Sequence, residues 1–129
     1  MDGRYRDTVA RVCVVGSVNM DLVFTVEALP EPGATILASA LTQNPGGKGG
    51  NQAIAAARAG AEVTMVAAVG DDAAGIALRA HLSQRGVDIS GVVTLPVPSG
   101  TAGIVVDGGA TTPGNCLPPN PGATGGGVV

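Results

Sequence analysis

Aromatic residues are nearly absent from this 129-residue chain, which has one tyrosine, one phenylalanine and no tryptophan. The core of a single domain, the number that this length favours, must therefore be built from aliphatic side chains. Positive charge is also scarce, since seven lysine and arginine residues face ten aspartate and glutamate residues and the net charge is −3. This balance argues against a partner held by phosphate neutralisation over a broad surface, and so against nucleic acid.

Only two cysteines occur, Cys13 within an apolar run and Cys116 in a segment rich in proline and glycine. Such a pair provides neither a disulfide framework nor a Cys/His metal site. No run reaches the roughly 18 to 20 apolar residues that a membrane-spanning helix requires, and the N-terminal residues lack the pattern of an export signal. We therefore expect a cytoplasmic protein that has no metal site and no membrane partner.

Short apolar runs alternate with helix-like segments along the chain. Continuous β-branched runs ended by glycine are typical of strands buried on both faces of a parallel sheet. Such buried strands are predicted at residues 11–16 and 63–69, with further short strands at 92–95 and 102–106. Alanine-rich and amphipathic segments predict helices from about Asn51 to Ala59 and at the four-residue spacing of Ala74, Leu78 and Leu82. The alternation predicts an α/β fold with a Rossmann-like, doubly wound parallel sheet.

Four other segments fall outside this main layer. Residues 22–26 and 35–41 are strand-like and are joined by a turn rich in proline and glycine, which predicts an antiparallel excursion. Residues 1–10 form an N-terminal extension. Among the 22 residues from Gly108 to Val129 there are seven glycines, four prolines and no charged side chain. Such a composition cannot offset its ordering entropy, so we predict a disordered tail at 108–129.

The single lysine of the chain, Lys48, lies between two pairs of glycines directly before a predicted helix. Glycines let a ligand approach the backbone, the helix start offers free N–H groups, and the lysine adds a cation for a hydroxyl or phosphate oxygen. A flexible, solvated loop at residues 46–50 explains the local pattern equally well. A Walker A loop is excluded, because Thr42 stands where that motif needs glycine and Gly49 where it needs serine or threonine.

Two polar side chains follow the first core strand. Asn19 and Asp21 lie at its carboxyl end, where open α/β sheets bind their ligands, and an amide and a carboxylate two residues apart can bind adjacent hydroxyls of a sugar. A turn or a cap is the alternative for this pair. For Asp71 and Asp72, capping of the second helix is the favoured interpretation. His81 is expected to be a solvated residue of that helix.

Five motifs of this chain resemble the N-terminal part of the ribokinase-like (PfkB) family of carbohydrate kinases: VVGSVNMDLV, LPEPGAT, NPGGKGGNQAIAAARAG, VAAVGDDAAG and PSGTAGIVVD. The resemblance covers about residues 11–107. Within the family, Asn19 and Asp21 together with Lys48 and Gln52 are most similar to the ribokinases. The resemblance implies a Rossmann-like core and a small β-sheet lid formed by residues 22–26, 35–41 and 102–106.

The resemblance also implies residue roles and a partner. Ala102 and Ile104 would pack over the ring of the sugar from the lid. The sugar hydroxyls would be held by Asn19, Asp21, Gly46, Gly47, Lys48 and Asn51. The lid supplies the dimer contact in ribokinases, so a homodimer is implied as well.

Members of this family are more than twice as long as this chain. Their ATP pocket and the G-A-G-D motif with its catalytic aspartate lie in the part that has no counterpart here. The resemblance therefore implies the sugar-binding part of an enzyme that, when complete, uses ATP and Mg²⁺ to phosphorylate the primary hydroxyl of D-ribose. We expect this chain alone to bind neither ATP nor Mg²⁺ and to be inactive. The alternative is a non-catalytic module that binds a sugar or nucleoside, or only dimerises.

Overall fold

The computed structural model describes residues 8–108. This part of the chain forms two three-stranded sheets and two helices. The elements in chain order are β1 (Arg11–Val15), β2 (Asn19–Val26), β3 (Ala40–Gly46), α1 (Lys48–Arg58), β4 (Glu62–Gly70), α2 (Ala73–Gln84), β5 (Val87–Leu95) and β6 (Thr101–Asp107). Within residues 8–108 no helix is long and apolar enough to cross a membrane.

The main sheet has the strand order β1-β4-β5, and its strands are parallel. Alternate side chains of β4, among them Val63 and Met65, join Ile54 of α1 and Leu78 of α2 in one aliphatic core. Both helices therefore cover the same face of the sheet. Met65 is completely buried and Leu78 is 2% exposed, so each contributes on the order of 2 kcal/mol through burial of apolar surface. The predicted α/β fold with a parallel sheet is confirmed.

The prediction that β1 is buried on both faces is wrong. Val12 and Val14 are half-buried against the core, whereas Cys13 is exposed and Val15 is 77% exposed. The same alternation continues into β4, where Val66 is 39% exposed. The reason is geometric: successive side chains of a strand point to opposite faces, and the two helices of the described part cover only one of them.

The small sheet has the order β3-β2-β6, with β2 antiparallel to β3 and parallel to β6. The predicted strand at 35–41 is wrong in position, because β3 begins at Ala40, which pairs with Thr25, and runs to Gly46 opposite Asn19. Leu37, whose hydrophobicity suggested a strand, is 93% exposed and lies outside the sheet. A hydrophobic run alone does not show which residues find a strand partner.

The bounds of other elements also differ from those predicted. α1 begins at Lys48 instead of Asn51, so the glycine-rich segment predicted as a loop supplies the end of β3 and the first turn of the helix. β5 spans nine residues and is longer than the predicted strand at 92–95. The predicted tail at 108–129 lies outside the described residues except for Gly108, as does the extension at 1–10 except for residues 8–10.

Candidate functional site

Asn19 and Asp21 lie at the start of β2, on the small sheet. Their side chains are two residues apart on an extended strand, so they share a face, and Asn19 Nδ2 donates a hydrogen bond of 2.5 Å to Asp21 Oδ1. Both side chains are half-buried. The pair follows the first strand, as predicted, and lies at the start of the next strand, so the alternative of a turn or a cap is wrong.

The carboxylate of Asp21 is in close contact with Gly46 at the end of β3. A Cβ atom on Gly46 would lie 2.4 Å from Asp21 Oδ2 and 2.9 Å from Oδ1. Gly46 is opposite Asn19 in the antiparallel ladder. With the carboxylate in this position there is no room for a Cβ at residue 46, so the Asn19–Asp21 pair lies directly beside the chain that leads into α1.

Gly47 makes the turn between β3 and α1. Its φ of 99° is a conformation that other residues rarely adopt, and a Cβ there would lie 2.6 Å from the carbonyl oxygen of Ser17. The turn places Lys48, which is exposed, at the first position of α1. The amide of Gly50 donates a 3.1 Å hydrogen bond to the carbonyl of Ser17. The start of the helix is thus fixed against the connection between β1 and β2.

β6 brings two apolar side chains to the same face of the small sheet. Ala102 is paired with Asp21, and Ile104 with Val23. Ala102 is half-buried and Ile104 is 38% exposed. The structure therefore brings together on one face Asn19, Asp21, Gly46, Ala102 and Ile104, with Lys48 and Asn51 in the adjoining first turn of α1.

The model of the pfkB family carbohydrate kinases matches residues 9–123 of the chain. The chain belongs to the PfkB family. A ribokinase from Bacillus subtilis (strain 168) is 50% identical over 97 residues, which are 74% of this chain and 33% of that protein. This PfkB chain thus spans about a third of the length of the curated relatives it matches.

Solved ribokinase structures have the same fold as this PfkB chain. The ribokinase from Cryptococcus neoformans var. grubii serotype A in complex with ADP superposes with a TM-score of 0.68 at 39% identity, over 77% of this chain and 31% of that one. The Arabidopsis thaliana ribokinase complexed with ribose and ATP has a TM-score of 0.68 at 32% identity, over 77% of this chain and 33% of that one. The resemblance inferred from the sequence motifs is confirmed.

A polar network joins the end of β4 to the segment before β6 in the PfkB chain. Asp72 caps α2, as predicted, by accepting a 2.8 Å hydrogen bond from the amide of Gly75. It also accepts hydrogen bonds from Ser99, at 2.7 Å from Oγ and 2.8 Å from the backbone amide. The Ser99 hydroxyl, followed by the backbone amides of Ser99 and Gly75, lowers the pKa of Asp72 from its ordinary value.

Ser99 is the residue of this network that the sequence analysis missed. It is buried, with 7% of its surface exposed, and its hydroxyl also accepts a 2.9 Å hydrogen bond from the amide of Gly70. The sequence feature that could have pointed to Ser99 is its position between Pro98 and Gly100, in the loop before β6. Gly100 in turn accepts a hydrogen bond of 2.9 Å from the amide of Met20, so the network reaches the strand that carries the polar pair.

His81 is half-buried, and the prediction of a solvated side chain is wrong. It lies on α2 at a small cavity behind the start of α1. The cavity is lined by Val18, Pro45, Gly46, Gly50, Asn51, Ile54, Leu78, His81 and Leu82. Desolvation lowers the pKa of His81, with smaller contributions in the same direction from Arg85 and Arg58.

Within residues 8–108 no three histidine, cysteine or carboxylate side chains are grouped closely enough to hold a metal. The candidate site combines the Asn19 amide and the Asp21 carboxylate of β2, the Lys48 cation and the apolar side chains of Ala102 and Ile104.

Proposed function

We propose that residues 11–107 form the sugar-binding part of a ribokinase-like kinase, with D-ribose as the sugar. The observation that carries the proposal is the position of the Asn19–Asp21 pair against Gly46, on the face next to the start of α1. A carboxylate accepts hydrogen bonds from hydroxyls, and an amide both donates and accepts them. Such a pair suits the neighbouring hydroxyls of a sugar, and the similarity to ribokinases supports the choice of ribose.

The other predicted residues complete this site. Lys48 and Asn51 reach the sugar from the first turn of α1, where backbone N–H groups near Gly47 are also available to hydroxyl oxygens. Ala102 and Ile104 cover the C–H face of the ring from β6. Together these groups orient the sugar and exclude water from one side of it.

Phosphoryl transfer requires a positioned nucleotide, a metal ion and a base for the attacking hydroxyl. In the complete enzyme, ATP with Mg²⁺ supplies the phosphoryl group to the primary hydroxyl of ribose. The residues described here bind and orient the sugar, and we assign none of them to the nucleotide. The 129-residue polypeptide by itself therefore binds ribose without phosphorylating it.

Calorimetric titration of the full chain with ribose tests the proposal. We expect saturable binding that is strongly weakened by Asp21→Asn and unchanged by Asp107→Asn, which alters an exposed carboxylate at the end of β6. Titration with adenosine tests the non-catalytic nucleoside-binding module. Absence of ribose binding would contradict the proposal, and tighter binding of adenosine than of ribose would favour the nucleoside-binding module. In a separate kinase assay, ribose-dependent formation of ADP from ATP would contradict the expected lack of activity.

We also propose the small sheet as the contact of a homodimer. Leu41 of β3 and Val105 of β6 both pair with Phe24 and are 52% and 39% exposed. They lie on the face opposite to Asp21, so a second copy can bind there without covering the sugar. Sedimentation velocity should detect a dimer that Leu41→Lys weakens, and a monomer at all concentrations would contradict this assignment.

A further inference from the structure

Asn44 lies directly opposite Asp21 in the antiparallel pairing of β2 with β3. Directly opposed residues of such a pair share a face, and their Cβ atoms are about 4.5 to 5.5 Å apart. The side chain of Asn44 is exposed, whereas that of Asp21 is half-buried. A second amide therefore stands next to the carboxylate, on the side away from Ala102 of β6, which pairs with Asp21 from the other edge.

The contact at Gly46 establishes the face independently. A Cβ on Gly46 would point into the Asp21 carboxylate, at 2.4 Å from Oδ2. Asn44 precedes Gly46 by two residues on the same strand, so its side chain points to the same face. Gln43, between Asn44 and Thr42, pairs with Leu22 and belongs to the opposite face.

We propose that Asn44 is a further sugar-contacting residue and that Asp21 and Asn44 together recognise two adjacent hydroxyl groups. This proposal rests on the sugar-binding function proposed above. The Asp21 carboxylate can only accept hydrogen bonds, whereas the Asn44 amide donates and accepts. One hydroxyl donates to Asp21, and the neighbouring 2-hydroxyl exchanges a hydrogen bond with Asn44. The site therefore selects sugars with a vicinal diol, such as ribose, over 2-deoxyribose.

The test compares Asn44→Ala with Gln43→Ala in the full chain. The two residues are neighbours on β3 and both are exposed, but they lie on opposite faces, so Gln43→Ala controls for a general effect on the strand. Each variant is titrated with ribose and with 2-deoxyribose, and thermal unfolding checks that both remain folded. One hydrogen bond is worth about 0.5 to 1.5 kcal/mol, or roughly a two- to twelvefold change in affinity.

We expect Asn44→Ala to weaken ribose binding by about three- to tenfold while changing 2-deoxyribose binding by less than about twofold. Gln43→Ala should leave both affinities near those of the unaltered chain. Unchanged ribose affinity in Asn44→Ala, or an equal loss in both variants, would overturn the role of Asn44. An equal loss for both sugars would overturn the recognition of a diol. If the unaltered chain binds no pentose, the proposed function itself is wrong, and this inference falls with it.

Discussion

The carboxylate of Asp21 rests against Gly46, where a Cβ atom would lie 2.4 Å from Oδ2 and 2.8 Å from Cγ. Pairing of β2 with β3 creates this contact, since Asn19 lies opposite Gly46 and Asp21 opposite Asn44. The glycine therefore leaves the space that the Asp21 carboxylate occupies on this face of the small sheet. Its role is steric, and it differs from that of Gly47, whose positive φ makes the turn into α1.

Gly46→Ala should displace the Asp21 carboxylate and weaken ribose binding. A hydrogen bond to a charged group is worth about 1.5 to 3 kcal/mol, so we expect a loss of roughly tenfold or more. Gly103→Ala on β6 is the matched control, because a Cβ there meets no heavy atom within 4 Å. Calorimetric titration with ribose measures both variants. Equal affinities would show that the carboxylate moves aside without consequence.

Asp21→Asn should weaken ribose binding more than Lys48→Ala does. Asp21 is half-buried and holds the Asn19 amide, so losing its charge removes a strong acceptor from the site, at about 1.5 to 3 kcal/mol. Lys48 is exposed and can turn back to water, so its loss should cost less. Ribose affinities of the two variants give the ranking. The reverse order would assign recognition to the glycine-flanked lysine, with the Asn19–Asp21 pair secondary.

Ser99→Ala should destabilise the fold. The Ser99 hydroxyl accepts the hydrogen bond of the buried Gly70 amide and donates to Asp72, so the variant leaves a buried donor without a partner at a cost of about 1 to 3 kcal/mol. Ser83→Ala, at an exposed position of α2, should change stability by less than about 0.5 kcal/mol. Urea unfolding followed by circular dichroism compares them. Equal urea midpoints for the two variants would contradict the prediction and would mean that water replaces the Ser99 hydroxyl.

Asp72 should make stability depend on pH in the acid range. Its pKa in the folded chain is below the ordinary value of 3.8, mainly because of the Ser99 hydroxyl. The stabilisation of the fold by ionised Asp72 is therefore complete above pH 3.8 and is lost as the pH falls through the lowered pKa. Asp72→Asn should be less stable than the unaltered chain at about pH 7, and the difference should shrink as the pH falls below 3.8. Asp71→Asn, at the exposed neighbouring position, is the control. If the stability of both variants changed with pH in the same way, the acid dependence could not be assigned to Asp72.

His81 should titrate at a lowered pKa, which NMR can measure directly. It is the single histidine of the chain, so its imidazole proton resonance reports its pKa without assignment. We expect a value below 6.5, because burial disfavours the charged ring. The neutral ring contributes stability above that ordinary value, and the contribution is lost as the pH falls below it. His81→Gln should therefore lose less stability on acidification, and a measured pKa of 6.5 or above would contradict the half-buried position.

Local sequence patterns determined the main elements of this protein. Continuous β-branched runs placed the main-sheet strands, alanine-rich and four-residue spacing placed both helices, and the aspartate before Ala73 identified the cap of α2. Each of these features depends on neighbouring residues of the chain, through side-chain periodicity or a hydrogen bond within one turn. The single lysine among glycines and the Asn19–Asp21 spacing marked the region of the candidate site in the same way.

Only the tertiary structure decided which residues face one another. The register between β2 and β3 placed Gly46 against Asp21, put Asn44 on the same face, and moved the third predicted strand from 35–41 to Ala40–Gly46. Helices on a single face left alternate side chains of β1 exposed, and His81 is half-buried where α2 and the start of α1 line one cavity. Strand pairing and coverage join residues that are distant in the chain, and a one-residue shift in register exchanges the two faces of a strand. The sequence pattern therefore pointed to the candidate site residues, while pairing between distant segments determined how they are arranged.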